Sequence, residues 1–119
     1  MDYTMGVIES KFADIIWDNE PISSTELSKR SEEMLGWKKS TSFTVLKRLC
    51  EKGIFINSKG CVTSLVTRKE FFSRQSEKFV DETFNGSLPA FLAAFTARKT
   101  LSKEEIKELK QMIKEYEEK

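Results

Sequence analysis

Hydrophobic residues in the first third of the chain recur at the spacing of amphipathic helices. The pattern predicts a first helix over residues 5–18 and a second helix that a capping box, Ser23 to Glu26, opens and Gly36 ends. Asn19 to Pro21 separates the two helices. The side chains expected to face inward are Val7, Ile8, Phe12, Ile15, Ile16, Leu27 and Met34, with Trp17 near the end of the first helix.

The third predicted helix, residues 38–52, has two chemically different faces. Its inward stripe follows the i, i+3, i+4, i+7 spacing and consists of Ser42, Val45, Leu46 and Leu49. The opposite face is short, hydroxylated and basic, and consists of Ser40, Thr41, Thr44, Lys47 and Arg48. Small hydroxyl side chains let a helix approach base edges closely and cations reach phosphates, so this face suits a DNA major groove. An ordinary surface helix with a solvated polar face has the same pattern.

The residues after this helix favour the DNA-binding interpretation. Gly53 stops the helix, and two β-prone runs, 54–56 and 61–66, flank a turn whose tip carries Lys59. Such a hairpin directly behind a third helix is the wing of a winged helix-turn-helix domain, and Lys59 would reach the DNA backbone or the minor groove. We therefore predict a mainly α fold in which residues 1–68 form a winged-helix DNA-binding domain.

The remaining residues, 69–119, are predicted to form three helices with no β partner. Capping boxes at Thr67 to Glu70 and Ser102 to Glu105 open the outer two, and Pro89 lies in the first turn of the middle one. Burying one large apolar side chain is worth about 1.5 to 3 kcal/mol, and this segment is too small to bury all of its own. We expect a two-fold partner to cover them, the alternative being that the helices fold back on the N-terminal domain. The predicted dimerisation residues are Phe72, Phe79, Val80, Phe84, Leu88, Phe91, Leu92, Phe95, Ile106, Leu109 and Ile113.

Charge is distributed unevenly along the 119 residues, although the net charge is only +1. Residues 38–69 contain 8 basic and 1 acidic side chains, a net charge of +7, whereas residues 1–37 carry −5 and residues 70–119 carry −1. A basic segment between acidic or neutral ones attracts polyanions. The N-terminus has no signal-peptide pattern and no apolar run is long enough to cross a bilayer, so we expect a cytoplasmic protein without membrane insertion.

The composition argues against catalysis and against a bound metal or cofactor. The chain has no histidine, and its two cysteines, Cys50 and Cys61, lack the spacing of a zinc site. We interpret Cys50 as a packing residue, with redox or metal sensing by the pair as the alternative. No nucleophile–base pair or cofactor motif supports an enzyme. The main alternative to DNA binding is a protein-interaction adaptor, because winged helices also serve as docking modules.

The chain resembles the penicillinase repressor family of transcriptional regulators, the BlaI/MecI/CopY type, over almost its whole length. The resemblance rests on Glu9 with Ile16 to Asp18, on Trp37 to Thr41 with Thr44, Leu46, Arg48, Leu49, Lys52 and Gly53, and on Gly86 to Leu88, Ala94, Phe95, Leu101, Ser102, Glu105 and Ile106. It implies a homodimeric repressor in which an N-terminal winged helix binds double-stranded, dyad-symmetric operator DNA and the C-terminal helices interlock two subunits.

The resemblance also implies roles for single residues. The family's recognition positions fall on Ser40, Thr41, Phe43 and Thr44, with backbone contacts near Lys38, Lys39 and Arg48. Phe43 departs from the polar or basic residue common there. In the penicillinase repressors a signalling membrane metalloprotease cuts ahead of a phenylalanine that corresponds to Phe95, after an asparagine that is Ala94 here. The cysteine cluster of the copper-responsive branch is absent from residues 114–119.

Overall fold

The computed structural model describes residues 2–119, and in them six helices and three short strands. The elements in chain order are α1 (Val7–Asn19), β1 (Ile22–Ser23), α2 (Ser24–Leu35), α3 (Lys39–Glu51), β2 (Phe55–Ser58), β3 (Cys61–Ser64), α4 (Arg68–Phe84), α5 (Leu88–Thr96) and α6 (Lys103–Glu117). The strands form one antiparallel sheet in the order β1-β3-β2. Three helices followed by a hairpin confirm the predicted mainly α, winged helix-turn-helix class.

The hydrophobic core lies where α1, α2 and α3 pack with the sheet and the first turn of α4. Its largest fully buried apolar side chains are Phe12, Phe55, Phe71, Ile16, Leu27, Leu49, Ile54 and Val62. Trp17 packs against this core, with its ring 5.2 Å from that of Phe55 and its indole N–H donating to the Val66 carbonyl at 3.1 Å. The inward positions predicted for α3 and for the middle of α1 are confirmed.

Hydroxyl side chains begin three of the helices as predicted. Ser23, Thr67 and Ser102 each accept a hydrogen bond from the backbone N–H three residues later, at 3.0, 3.1 and 3.0 Å. At α6 the reciprocal half of the capping box is also present, because the Glu105 carboxylate accepts from the Ser102 N–H at 3.0 Å. At α2 the prediction of a reciprocal contact is wrong, since the Glu26 carboxylate accepts instead from the Arg30 guanidinium at 3.1 Å. At the start of α4, within the described residues, only the hydroxyl half of the predicted capping box is present.

Three apolar residues predicted to face inward are exposed. Val7 and Ile8 are 75% and 52% exposed, because α1 begins at Val7 and its first turn extends beyond the core. Met34 is 68% exposed in the last turn of α2, where Leu35 rather than Met34 packs against the core. Helical spacing identifies a face, but it does not show how far along the helix the neighbouring elements extend.

The sequence does not predict strand β1, because two residues are too few to show a β pattern. Ile22 pairs with Val62 and Ser23 with Cys61, so the hairpin gains a third strand. The Glu20 carboxylate, next to β1, accepts from the Ser64 N–H and hydroxyl at 2.9 and 2.8 Å. The hairpin strands are also shifted, since β2 begins at Phe55 and β3 ends at Ser64.

The chain divides into two compact units, one that ends at Lys78 and one that comprises Phe79–Lys119. The division falls inside α4, ten residues after the boundary expected from the sequence. The part of α4 from Arg68 to Lys78, about three turns, belongs to the winged-helix unit, and Phe71 in its first turn is fully buried in the core of that unit. Phe72, expected among the dimerisation residues, is half-buried and packs against the same core, 6.1 Å from the Trp17 ring.

Candidate nucleic-acid interface

Helix α3 is held in place by its buried stripe and by the turn that precedes it. Ser42, Val45, Leu46 and Leu49 are 2%, 7%, 3% and 0% exposed. In the turn, Gly36 adopts a left-handed conformation with φ of +70° and donates its N–H to the carbonyl of Glu32 at 3.0 Å. The next residue, Trp37, stacks on Phe12 with ring centroids 5.2 Å apart. The opposite face of α3 therefore lies in solvent.

The solvent face of α3 carries every side chain that the sequence placed there. Ser40, Thr41, Phe43, Thr44, Lys47 and Arg48 are all exposed, as are Lys38 and Lys39 at the start of the helix. The Thr44 hydroxyl donates to the Ser40 carbonyl at 2.9 Å. The Lys39 Nζ lies 5.8 Å from the centre of the Phe43 ring. This face can offer hydroxyls, cations and one aromatic ring to a ligand that covers it.

The hairpin tip is a tight two-residue turn. Lys59 and Gly60 have φ of +52° and +84°, and Ser58 pairs with Cys61. A two-residue loop with positive φ at both positions is a type I′ turn, whose backbone twist matches that of two antiparallel strands. The Asn57 side-chain oxygen accepts from the Gly60 N–H at 3.0 Å. Lys59 is exposed at the tip. The wing is therefore short and well ordered by hydrogen bonds, with one cation at its end.

Two of the eight cations in residues 38–69 are used inside the domain. Lys52 donates to the Thr4 carbonyl at 2.8 Å and lies 3.6 Å from the Glu9 carboxylate. Arg68 forms salt bridges with Asp14 and Asp18 at 3.0 and 2.7 Å. The main effect of these contacts on the pKa of its guanidinium is that the hydrogen bond to Asp18 raises it. The sequence did not reveal these partners, since each is about 40 to 55 residues distant. The six exposed cations are Lys38, Lys39, Lys47, Arg48, Lys59 and Lys69.

The two cysteines are free and lie in different environments. Cys50 is partly buried at the edge of α3, and burial raises the pKa of its thiol. Cys61 is exposed at the start of β3. Among residues 2–119, no group of three carboxylate or thiol side chains lies close enough to hold a metal ion. The same residues include no helix that is long and apolar enough to cross a membrane.

The unit Phe79–Lys119 leaves most of its apolar surface uncovered. Neither α5 nor α6, both within the described residues, contains a buried side chain. Phe79, Phe84 and Phe91 form a cluster with ring centroids 5.6 to 6.0 Å apart. The large hydrophobic residues that are at least 40% exposed in this unit are Phe79, Leu88, Leu92, Phe95, Ile106, Met112, Ile113 and Tyr116. Of the other predicted dimerisation residues, Val80, Phe84, Phe91 and Leu109 are half-buried.

The apolar surface of this unit includes a groove between α5 and α6. The groove is lined mainly by apolar side chains, those of Phe91, Leu92, Phe95, Leu101, Leu109 and Met112, and also by two glutamates, Glu105 and Glu108. Ala94 and Phe95, the residues at the expected cleavage position, lie in the second half of α5 and are exposed.

The fold and the exposed basic face of α3 define a winged helix-turn-helix protein. Residues 5–115 match the sequence model of the family described as penicillinase repressor. The penicillinase repressor of Bacillus licheniformis is 30% identical over 106 residues, which cover 86% of this chain and 83% of that protein. The methicillin resistance regulatory protein MecI is 24% identical over 115 residues both in Staphylococcus aureus strain Mu50 and in Mammaliicoccus sciuri, covering 93% of this chain and 94% of each relative. The chain belongs to the penicillinase repressor family, whose members are transcriptional regulators rather than enzymes.

Proposed function

We propose that this protein is a homodimeric repressor that binds a dyad-symmetric DNA operator. The observation that carries the proposal is the solvent face of α3, in which hydroxyl and basic side chains project from a helix fixed by a fully packed stripe. Its family membership supports repression as the outcome of binding. A repressor works where the DNA is, which in bacteria is the cytoplasm.

In the proposed complex α3 lies in the major groove. Ser40, Thr41, Phe43 and Thr44 face base edges, since they occupy the first two turns of α3 and the N-terminal part of a recognition helix makes the base contacts. The cations at and around this face contact phosphates, which fix register but carry no sequence information. These cations are Lys38, Lys39, Lys47 and Arg48 on α3 and Lys59 at the wing tip.

The dimer is proposed from the uncovered apolar surface of Phe79–Lys119. Leu92, Phe95 and Ile113 are 42%, 46% and 60% exposed. Burying such a side chain from full exposure is worth about 1.5 to 3 kcal/mol, so covering the part that is still exposed here contributes roughly half of that for each residue. A two-fold partner with the same surface covers both copies at once. Two winged helices related by that axis would match two half-sites about one helical turn apart.

Fluorescence anisotropy with labelled DNA from upstream of the protein's own gene tests the proposal. We expect tight binding with two subunits per site, persistence against scrambled competitor DNA, and a steep loss of affinity as salt rises. Each phosphate contact contributes about −0.9 to the slope of log K against log salt, so five contacting cations per subunit predict a large slope for the dimer. If neither this DNA nor a genome-wide selection yields a preferred sequence, the operator-binding proposal is wrong.

Inactivation by proteolysis between Ala94 and Phe95 is a further part of the proposal, with a signalling membrane metalloprotease as the partner. The bond lies within α5, so this helix would have to open before a protease could bind the segment in an extended form. Cleavage there would separate α6 from the rest of the apolar surface and so weaken the dimer. Mass spectrometry of the protein from induced cells would detect the two fragments, and an intact chain after induction would contradict this route.

A further inference from the structure

Phe43 is placed among the residues proposed to read DNA rather than in the core. It lies on the solvent face of α3, one turn from Lys39 and one turn from Lys47, and its side chain is 36% exposed. Single exposed apolar residues are common on protein surfaces. This one, however, is the only aromatic ring on the described part of a face that otherwise offers hydroxyls and cations.

The neighbouring threonine makes the same part of the face more apolar. The Thr44 hydroxyl donates its proton to the Ser40 carbonyl at 2.9 Å, so while this bond lasts it cannot donate to a base. What Thr44 offers to a ligand is then its methyl group and an acceptor oxygen. The Phe43 ring and the Thr44 methyl group are therefore apolar groups on successive residues of the solvent face, in the second turn of the proposed recognition helix.

Base chemistry identifies the ligand group that fits this surface. In the major groove, adenine, guanine and cytosine present only donors and acceptors, whereas thymine also presents its C5-methyl group. An aromatic ring that covers a donor or acceptor removes it from water without replacing the hydrogen bond, which is unfavourable. Covering the thymine methyl removes apolar surface from water, which is favourable.

We infer that Phe43, supported by the methyl group of Thr44, selects thymine at one position of each half-site by contact with its C5-methyl group. This inference rests on the proposed operator binding and specifies how one base is chosen. The Lys39 ammonium, 5.8 Å from the ring centre, lies on the same side of the helix and would hold the adjoining phosphate. A hydrophobic contact and a charge contact would thus act side by side.

Replacing thymine by uracil tests the inference, because it removes the methyl group and nothing else. A duplex is first selected from a random-sequence library with the wild-type protein, and each thymine is then replaced by uracil singly. We expect one position per half-site at which uracil weakens binding about fourfold, the factor that corresponds to about 0.8 kcal/mol for one buried methyl-sized group. Phe43→Ala should bind the thymine duplex more weakly and should bring the thymine-to-uracil ratio at that position close to one.

Two further variants sharpen the test. Phe43→Leu keeps an apolar side chain and should retain a thymine preference, whereas Lys47→Ala should weaken thymine and uracil duplexes equally. If the library yields a preferred duplex but no thymine is sensitive to uracil, or if the ratio persists in Phe43→Ala, the inference is overturned while operator binding stands. If the library yields no preferred duplex, operator binding itself fails and the inference fails with it.

Discussion

Trp17 connects three parts of the winged-helix unit through one side chain. Its ring lies 5.2 Å from Phe55 at the start of β2 and 5.9 Å from Phe71 in α4, and its indole N–H donates to the Val66 carbonyl. Arg68 lies over the same ring at 5.6 Å. Because α1 carries this side chain, the wing and the beginning of α4 are held to the helix whose Phe12 stacks on Trp37, just before α3.

We predict that Trp17→Phe lowers the free energy of unfolding by about 1 to 3 kcal/mol, because phenylalanine cannot donate to the Val66 carbonyl and leaves that acceptor unsatisfied. Urea denaturation followed by circular dichroism, at equal protein concentrations, measures the change. Trp37→Phe is the matched control, since phenylalanine retains the stacking on Phe12. Equal destabilisation by the two substitutions would show that ring size, rather than the hydrogen bond, determines the loss.

A second prediction at the scale of residues separates base recognition from phosphate binding. Lys38→Ala should weaken binding to operator and random DNA alike and should reduce the salt slope by about one for each phosphate that the protein no longer neutralises. Thr41→Ala should mainly reduce the preference for operator, by about 1 to 3 kcal/mol for each base that is no longer read. Anisotropy titrations of both variants on both DNAs at three salt concentrations give the comparison. Equal weakening on both DNAs for Thr41→Ala would argue against direct base reading.

At the scale of elements, α6 differs from the other described helices because two reciprocal hydrogen bonds of a capping box fix its first turn. The Ser102 hydroxyl accepts from the Glu105 N–H, and the Glu105 carboxylate accepts from the Ser102 N–H. The hydrogen bonds to Ser102 hold the pKa of Glu105 below its usual range. With no side chain of α6 buried in the single chain, this cap is a main local determinant of where the helix begins.

The capping box predicts a pH dependence for the stability of α6. A carboxyl group whose pKa is lower in the folded state stabilises that state above its unfolded pKa, and this contribution is lost as the pH falls through the lowered folded value. Ionised Glu105 should therefore stabilise the helix at neutral pH, and Glu105→Gln should remove the acid-dependent part. Thermal melts of both proteins between neutral and strongly acidic pH test this. The two curves should converge in acid, and Glu104→Gln, one residue earlier, should change them less.

At the scale of the whole molecule, the proposed dimer depends on the apolar side chains left exposed in Phe79–Lys119. We predict that Ile113→Glu strongly lowers the affinity between subunits. Ile113 is 60% exposed in the single chain, and covering the new carboxylate in the proposed interface would remove it from water, which is unfavourable. Sedimentation velocity over a range of concentrations should show a monomer, and binding to a dyad site should fall toward that of a single half-site.

Gln111→Glu serves as the control for this dimer prediction. It adds the same charge to the same helix, on a surface that is lined by four lysines and Ile106 and that shares no residue with the groove between α5 and α6. Its sedimentation should resemble that of the wild-type protein. A dimer that survives Ile113→Glu would place the subunit interface outside the exposed surface of α6.

The features of this protein that could be predicted from its sequence are those that depend on interactions between residues close together in the chain. Hydrophobic spacing and capping residues identified the six helices found in residues 2–119, the buried stripe of α3 and the hairpin, because each of these depends on residues a few positions apart. The exposed hydroxyl and basic face of α3 followed from the same spacing.

Only the tertiary structure decided which of these side chains are free to bind. The pairing of β1 with β3, the use of Lys52 and Arg68 inside the domain, and the burial of Phe71 in the core of the winged-helix unit all join residues that are distant in the chain. The spacing of hydrophobic residues does not reveal such partners, because it shows which face of an element is apolar and not which other element packs against that face. The sequence by itself therefore determined the elements and their faces, and the packing of those elements determined which charges and rings remain on the surface.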